Sequence, residues 1–247
     1  MFKVKDLTLS YGDRKIILSQ SFEIKKGRIT AIIGRNGSGK STLLSALAGV
    51  MGYSGEIAFC GEELSSMARA ERAKKLSFLP QILPSPRLSV RELVSLGRSP
   101  HLGALGRMSD VDRAAVERAM SLVGISELAC KRADRISGGE LRLAYLAMIL
   151  AQDTETVLLD EPSAFMDIAN GRDTYRLLSD LRNSQGKTVV TVLHDLSAVP
   201  TLADDVAVLD GGRVVFCGSV ADCLEGEVIE KTFGVTKHTD RDSTWFC

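Results

Sequence analysis

The stretch Gly34-Arg35-Asn36-Gly37-Ser38-Gly39-Lys40-Ser41, followed by Thr42, limits what this chain can fold into more than any other segment. It fits the pattern G-x-x-x-x-G-K-[ST] at every position. The apolar run Thr30-Ala31-Ile32-Ile33 stands before it, and a helical pattern over about 40–49 follows. A strand must therefore turn sharply into a helix here. Glycines let the backbone wrap tightly and aim its N–H groups inward. The positive end of the helix dipole adds to an anion site at that point. Lys40 supplies a point charge for the β- and γ-phosphates of a nucleotide. The Ser41 hydroxyl is a candidate ligand for Mg2+.

Two further apolar runs share the β-branched character of the first. Thr156-Val157-Leu158-Leu159 ends in Asp160, and Thr188-Val189-Val190-Thr191-Val192-Leu193 ends in His194. Such runs suit strands buried on both faces of a parallel sheet. In these sheets ligands bind beyond the carboxyl ends of the strands, where all three runs carry their polar residues. The middle of the chain, from about 84 to 152, reads as helix. Ser89 and Glu92 form a capping box before 90–96, and Ser109 precedes an amphipathic stretch over 111–123 that Gly124 ends. Residues 2–24 alternate and contain the turn Tyr11-Gly12-Asp13, which suggests antiparallel strands. The expected fold is α/β: a P-loop NTPase core with a mostly parallel sheet, an antiparallel β flank and an inserted α-helical subdomain. Residues 1–83 and 153–247 are assigned to the core, and 84–152 to the insertion. A chain of 247 residues is long enough for this. Pro200 is expected to kink or shorten any helix over 197–203.

A phosphate cradle needs a partner that brings metal and base. Asp160 can hold Mg2+ directly or through water, and Glu161 can orient or deprotonate an attacking water. The most diagnostic element is Ile136-Ser137-Gly138-Gly139-Glu140, which lies between the cradle and the Asp160-Glu161 strand and opens a helix. It resembles the L-S-G-G-Q signature, and the chain as a whole resembles an ATP-binding-cassette (ABC) transporter ATPase. That resemblance implies ATP as the bound nucleotide, with Mg2+. It also implies a dimer in which Ser137, Gly138, Gly139 and Glu140 of one copy reach the γ-phosphate held by the other. Gln81 matches the family glutamine that contacts Mg2+ and water, and His194 the switch histidine at the γ-phosphate. Tyr11 matches the aromatic residue that stacks on adenine, and Asp167 lies in the loop that crosses the dimer interface. Catalysis is thereby assigned to Glu161, His194 and Gln81, and the metal to Ser41, Gln81 and Asp160. The chain departs from the family after the signature: Gln-Arg is usual there, and Arg142-Leu143 stands in its place, with Phe165-Met166 in the loop before Asp167.

The segment Gly97-Arg98-Ser99-Pro100-His101 resembles the G-R-x-P-H segment of importer ATPases for iron–siderophore complexes, haem and cobalamin. The expected partners are polytopic permease subunits and, indirectly, a substrate-binding protein. The same machine with metal ions or oxyanions as cargo is an alternative, as is a soluble ABC ATPase such as an iron–sulfur assembly factor. Charge and hydropathy are consistent with this. The formal net charge is zero, so there is no global basic excess to attract nucleic acid. The charged start, Met1-Phe2-Lys3-Val4-Lys5-Asp6, does not read as a signal peptide. No run approaches the roughly 18–20 apolar residues that span a bilayer. The expected location is the cytoplasmic face of the cell membrane, through the permease. Cys60, Cys130, Cys217, Cys223 and Cys247 are scattered without metal-ligand spacing and are expected to be reduced structural thiols, with a redox role for Cys217 and Cys223 as the alternative.

Overall fold

The computed structural model describes residues 1–103, 106–240 and 243–246. Strands β1 (Phe2–Tyr11) and β2 (Arg14–Ile24) form an antiparallel hairpin that closes with Tyr11 opposite Arg14. Next come β3 (Ile29–Gly34) and α1 (Lys40–Leu47), joined by the glycine-rich loop. The helix is shorter than its sequence pattern, because Gly49 takes positive φ and turns the chain away. β4 (Ser54–Phe59) and the short β5 (Glu62–Glu63) extend the hairpin into a sheet of order β2-β1-β4-β5. α2 (Arg69–Lys75) runs directly into β6 (Leu76–Leu79).

The helical segment holds α3 (Val90–Ser95), a 3-10 turn over Leu96–His101, α4 (Asp110–Leu122) and α5 (Gly138–Gln152). Capping boxes open α3, α4 and α5 at Ser89/Glu92, Ser109/Asp112 and Ser137/Glu140. The chain continues with β7 (Thr156–Asp160), α6 (Ile168–Gln185), β8 (Thr188–Val192), α7 (Val199–Leu202), β9 (Asp205–Asp210) and β10 (Arg213–Ser219). It ends in α8 (Val220–Glu225), α9 (Val228–Phe233) and the hairpin β11 (Lys237–Asp240) and β12 (Ser243–Phe246). Pro200 sits in the first turn of α7, where a missing N–H is tolerated, and the helix is only four residues long. Cys60, Cys130, Cys217 and Cys223 are free thiols, and burial pushes Cys223 up to about 11, far from a reactive thiolate. Cys247 lies outside the described residues. No helix among the described residues is long and apolar enough to cross a membrane.

The central sheet has the order β10-β9-β3-β8-β7-β6, parallel throughout except for β10. Strand alternation divides its apolar residues between two cores. Ile29, Ala31, Ile33, Val157, Leu159 and Val189 face a cluster shared with α3, α4, α5 and the later helices. Ile32, Leu158, Val190 and Val192 face α1 and the antiparallel sheet. Every residue of β3, β7 and β8 is buried, which is why they read as continuous runs without polar alternation. This layering holds the carboxyl ends of β3, β6, β7 and β8 along one rim.

The 97–101 segment is seated on the end of α5. Arg98 is 7% exposed and donates through Nε to Asp112 Oδ1 at 2.9 Å and through Nη1 to the carbonyl of Ala151 at 2.8 Å. His101 Nε2 lies 2.8 Å from the carbonyl oxygen of Gln152. Both side chains thus partner the last carbonyls of α5, which have no intrahelical donor. Gly97 makes the close approach possible, since a Cβ there would lie 2.0 Å from the carbonyl oxygen of Met148. Gly97→Ala is therefore expected to destabilise the fold by about 1–3 kcal/mol through overpacking against backbone. That exceeds the roughly 0.4–1 kcal/mol that alanine gains from a less flexible unfolded chain. Urea unfolding reads this as a lower midpoint, and an unchanged midpoint would contradict it.

Candidate nucleotide-binding site

The loop between β3 and α1 builds the floor of the site. Ser38 N–H donates to the carbonyl of Arg35 at 3.1 Å and closes a tight turn. Gly39 takes φ +103°, a conformation that strains any residue with a side chain, and a Cβ there would press on the tip of Ile17 at 2.8 Å, so glycine suits both the turn and the packing of the hairpin on the loop. Lys40 begins α1, is 6% exposed, and folds back over the loop. Its Nζ donates to the carbonyls of Gly34 at 2.9 Å and Arg35 at 3.1 Å. Burial pushes its ammonium below the ordinary lysine range, and the charges of Glu161 and Asp160 oppose that shift.

Across the cleft, the ends of β7 and β8 and the loop after β6 converge on one carboxylate. Gln81 Nε2 donates to Glu161 Oε1 at 2.8 Å, and His194 Nε2 lies 2.6 Å from the same oxygen. Glu161 holds φ +52°, a left-handed backbone that costs a non-glycine residue free energy and is tolerated where the surroundings over-determine it. Asp160 is 2% exposed. Burial pushes its carboxyl up, and a hydrogen bond from the Ser41 side chain pulls it back down. Its Oδ1 is sealed from solvent and has no hydrogen-bond partner. A buried carboxylate oxygen in that state asks for a donor or a cation. The Ser41 hydroxyl, the Asp160 carboxylate and the Gln81 amide are oxygen donors of the kind a hard divalent ion takes, so the set fits Mg2+.

These groups surround a cavity of about 690 Å3. Asn36, Gly37, Gly39, Lys40, Ser41 and Thr42 line one side, and Gln81, Glu161 and His194 the other. Arg14 and Ile16 of β2 line its mouth, and the sequence reading does not include them. Their only signal was position, a cation and an aliphatic residue just after the hairpin turn. Tyr11, assigned there to adenine, does not line the cavity; it is 61% exposed on the hairpin.

The Ser137–Glu140 turn lies elsewhere. Ser137 N–H donates to Glu140 Oε2 at 2.8 Å, and Glu140 N–H donates to Ser137 Oγ at 3.2 Å. Hydrogen bonds to its carboxyl from the Ser137 backbone N–H and from the Ser137 hydroxyl hold Glu140 below its usual range. Gly138 lines a second, more apolar cavity of about 520 Å3 together with Gln81, Glu161, Arg142 and Phe165. Glu161 thus borders both cavities, with the phosphate loop on one side and the Ser137–Glu140 turn on the other. Asp167 caps α6, accepting from Asn170 N–H at 2.8 Å. Before it, Phe165 is 83% exposed at φ +64°.

Comparison with known proteins agrees with this geometry. Residues 18–164 match the family described as ABC transporter. The ferric enterobactin transport ATP-binding protein FepC of Escherichia coli is 38% identical over 94% of this chain and 86% of its own length. A solved structure described as a metal-chelate type ABC transporter, in an inward-facing conformation, superimposes with a TM-score of 0.82 at 27% identity, covering 99% of this chain and 95% of that one. The cassette MJ0796, solved as a dimer bound to ADP and phosphate, superimposes with a TM-score of 0.80 at 26% identity over 89% of this chain and 99% of its own. A cavity floored by a lysine-bearing phosphate loop and faced by a positioned carboxylate is what such proteins need to bind and cleave ATP. With a family match over more than half its length and relatives along nearly all of it, this chain belongs to the ABC transporter family, as an ATP-binding and ATP-hydrolysing subunit.

Proposed function

We propose that this chain powers the import of a metal chelate, an iron–siderophore complex first and haem or cobalamin as related cargo, through separate permease subunits. The observation that carries the cargo class is similarity along almost the whole chain to FepC and to a metal-chelate type transporter. The 97–103 resemblance adds to it, although in this fold Arg98 is buried against the end of α5 and the exposed His101 also partners an α5 carbonyl. Permease partners follow from the import relatives. A substrate-binding protein outside the membrane and a location on its cytoplasmic face complete the proposal.

The site residues take the following roles in this reading. The loop 34–41 and Lys40 hold the phosphates, and Thr42 follows in the first turn of α1. Ser41, Asp160 and Gln81 would hold Mg2+, which supplies positive charge to the β- and γ-phosphate oxygens. Glu161 accepts a proton from the water that attacks the γ-phosphorus, and Gln81 fixes that carboxylate by its 2.8 Å hydrogen bond. His194 bridges Glu161 and the γ-phosphate. Ser137–Glu140 does not line the cavity of the chain's own phosphate loop, so in this reading it serves the nucleotide of a second copy, and the MJ0796 dimer supports that arrangement. Asp167 and the exposed Phe165 stand at the seam between copies, and Tyr11 meets adenine by turning in from the hairpin. The segment 84–152 is the lobe that moves against the 1–83 and 153–247 core.

Affinity purification of the tagged chain from detergent-solubilised native membranes tests the transporter part. The expected result is a polytopic membrane protein recovered in one-to-one ratio with the chain. Recovery only from the soluble fraction, with soluble partners, would contradict it and favour an assembly-factor role.

A further inference from the structure

Arg142 is among the largest side chains fully sealed from solvent, at 1% exposure. A guanidinium that deep normally sits against a carboxylate. Here it makes no direct ion pair among the described residues; it donates to two backbone carbonyls, through Nη1 to Gln81 at 2.9 Å and through Nη2 to Asp160, while burial disfavours its charged form and the nearby Asp160 and Glu161 carboxylates favour it. Both belong to the hydrolytic site. The Gln81 side chain holds Glu161, and Asp160 immediately precedes it. The fork of a guanidinium is planar and rigid, so it sets the spacing of the two backbone segments it bridges. One turn further along α5, the Tyr145 hydroxyl donates to the carbonyl of Pro84 at 2.8 Å. The 81–84 loop is thus held by α5 at two points, on the same face of the helix whose first turn begins after Ser137.

We propose that Arg142 is a positioning residue that fixes Gln81 and Glu161 for hydrolysis and ties them rigidly to the helix carrying the Ser137–Glu140 turn. Resting on the two-copy reading above, this has a consequence for regulation. When that turn engages the second copy's nucleotide, the resulting shift of α5 is passed through Arg142 to the chain's own Glu161. Each site then reports its occupancy to the other, and hydrolysis at the two sites is coupled. The route is physical because it consists of one helix and one planar cation with two fixed acceptors.

The test uses the full chain with Arg142→Met, of similar length without donors, and Arg142→Lys, each with and without Glu161→Gln. Arg142→Met is expected to keep ATP affinity within about threefold, while kcat falls about 10–100-fold, the scale for losing a group that orients a reacting one. The Hill coefficient for ATP should fall towards 1. Arg142→Lys should regain part of kcat. In single turnover, Arg142→Met placed on Glu161→Gln should change the rate less than about twofold, because both act through the same carboxylate. A folded Arg142→Met variant with wild-type kcat, or effects that multiply fully with Glu161→Gln, would overturn the proposal. If Arg142→Met does not fold, Arg142→Lys decides: lowered kcat at unchanged KM supports the role, and unchanged kcat overturns it. Failure of the ATPase reading itself is distinguishable, since Glu161→Gln alone would then hydrolyse ATP at the wild-type rate.

Discussion

Replacing Glu161 with glutamine is expected to slow ATP turnover by about 10²–10⁴-fold, the usual cost of losing a general base. At about 1.4 kcal/mol per factor of ten, this is about 3–5 kcal/mol of barrier. The substitution is nearly isosteric. Glutamine keeps the Oε1 that accepts from Gln81 and faces His194, so the local framework survives. Only the ability to take a proton is lost. Nucleotide binding should be retained or tightened, because a negative charge beside the phosphate cavity has been removed. Two measurements check this, phosphate release at saturating ATP and the affinity for a fluorescent nucleotide. An unchanged rate would take Glu161 out of the reaction.

Lys40→Ala acts at the earlier step. The side chain is buried and braces the loop through the Gly34 and Arg35 carbonyls, so its removal deletes the phosphate-facing cation and loosens the cradle together. Truncating one partner of a buried charge pair costs about 2–5 kcal/mol or more, which is about 30-fold to several-thousand-fold in affinity. ATP binding should fall below detection in a titration that measures the wild type readily. The far-ultraviolet circular dichroism spectrum should be unchanged. Tight binding by a folded Lys40→Ala chain would contradict the cradle.

The parts of the molecule that were legible in the sequence are those whose physics is local. The phosphate loop is eight consecutive residues, and each has its own reason to be there. β3, β7 and β8 announce themselves because burial on both faces demands unbroken apolar, β-branched runs. The capping box of Ser89 and Glu92 depends on residues three apart, and the structure adds two more of the same spacing, at Ser109/Asp112 and Ser137/Glu140. β6 was harder to see, since its four residues follow a charged helix with no turn signal between them. The split of the sheet into two cores could not be read at all, because alternate residues of one run face different layers. The same limit applied around the site. Arg142 stood out as a departure from the family pattern, but its partners are the backbone carbonyls of Gln81 and Asp160, which leave no trace in residue identity. Gly97 and Arg98 are legible as part of a segment resembling importer ATPases, but not their contacts, which are the backbone carbonyls of Met148 and Ala151. Arg14 and Ile16 reach the cavity mouth only because the hairpin folds over Gly39.

In a single chain the Ser137–Glu140 turn does not line the phosphate-loop cavity, so the proposed hydrolytic unit is two copies with ATP between them. The most direct measurement is the solution mass of the Glu161→Gln chain by light scattering, with bound nucleotide counted, in the presence and absence of ATP. The prediction is a species of twice 26.7 kDa that forms with ATP and carries two ATP molecules per pair of chains. A chain that saturates with ATP yet stays at 26.7 kDa would contradict it.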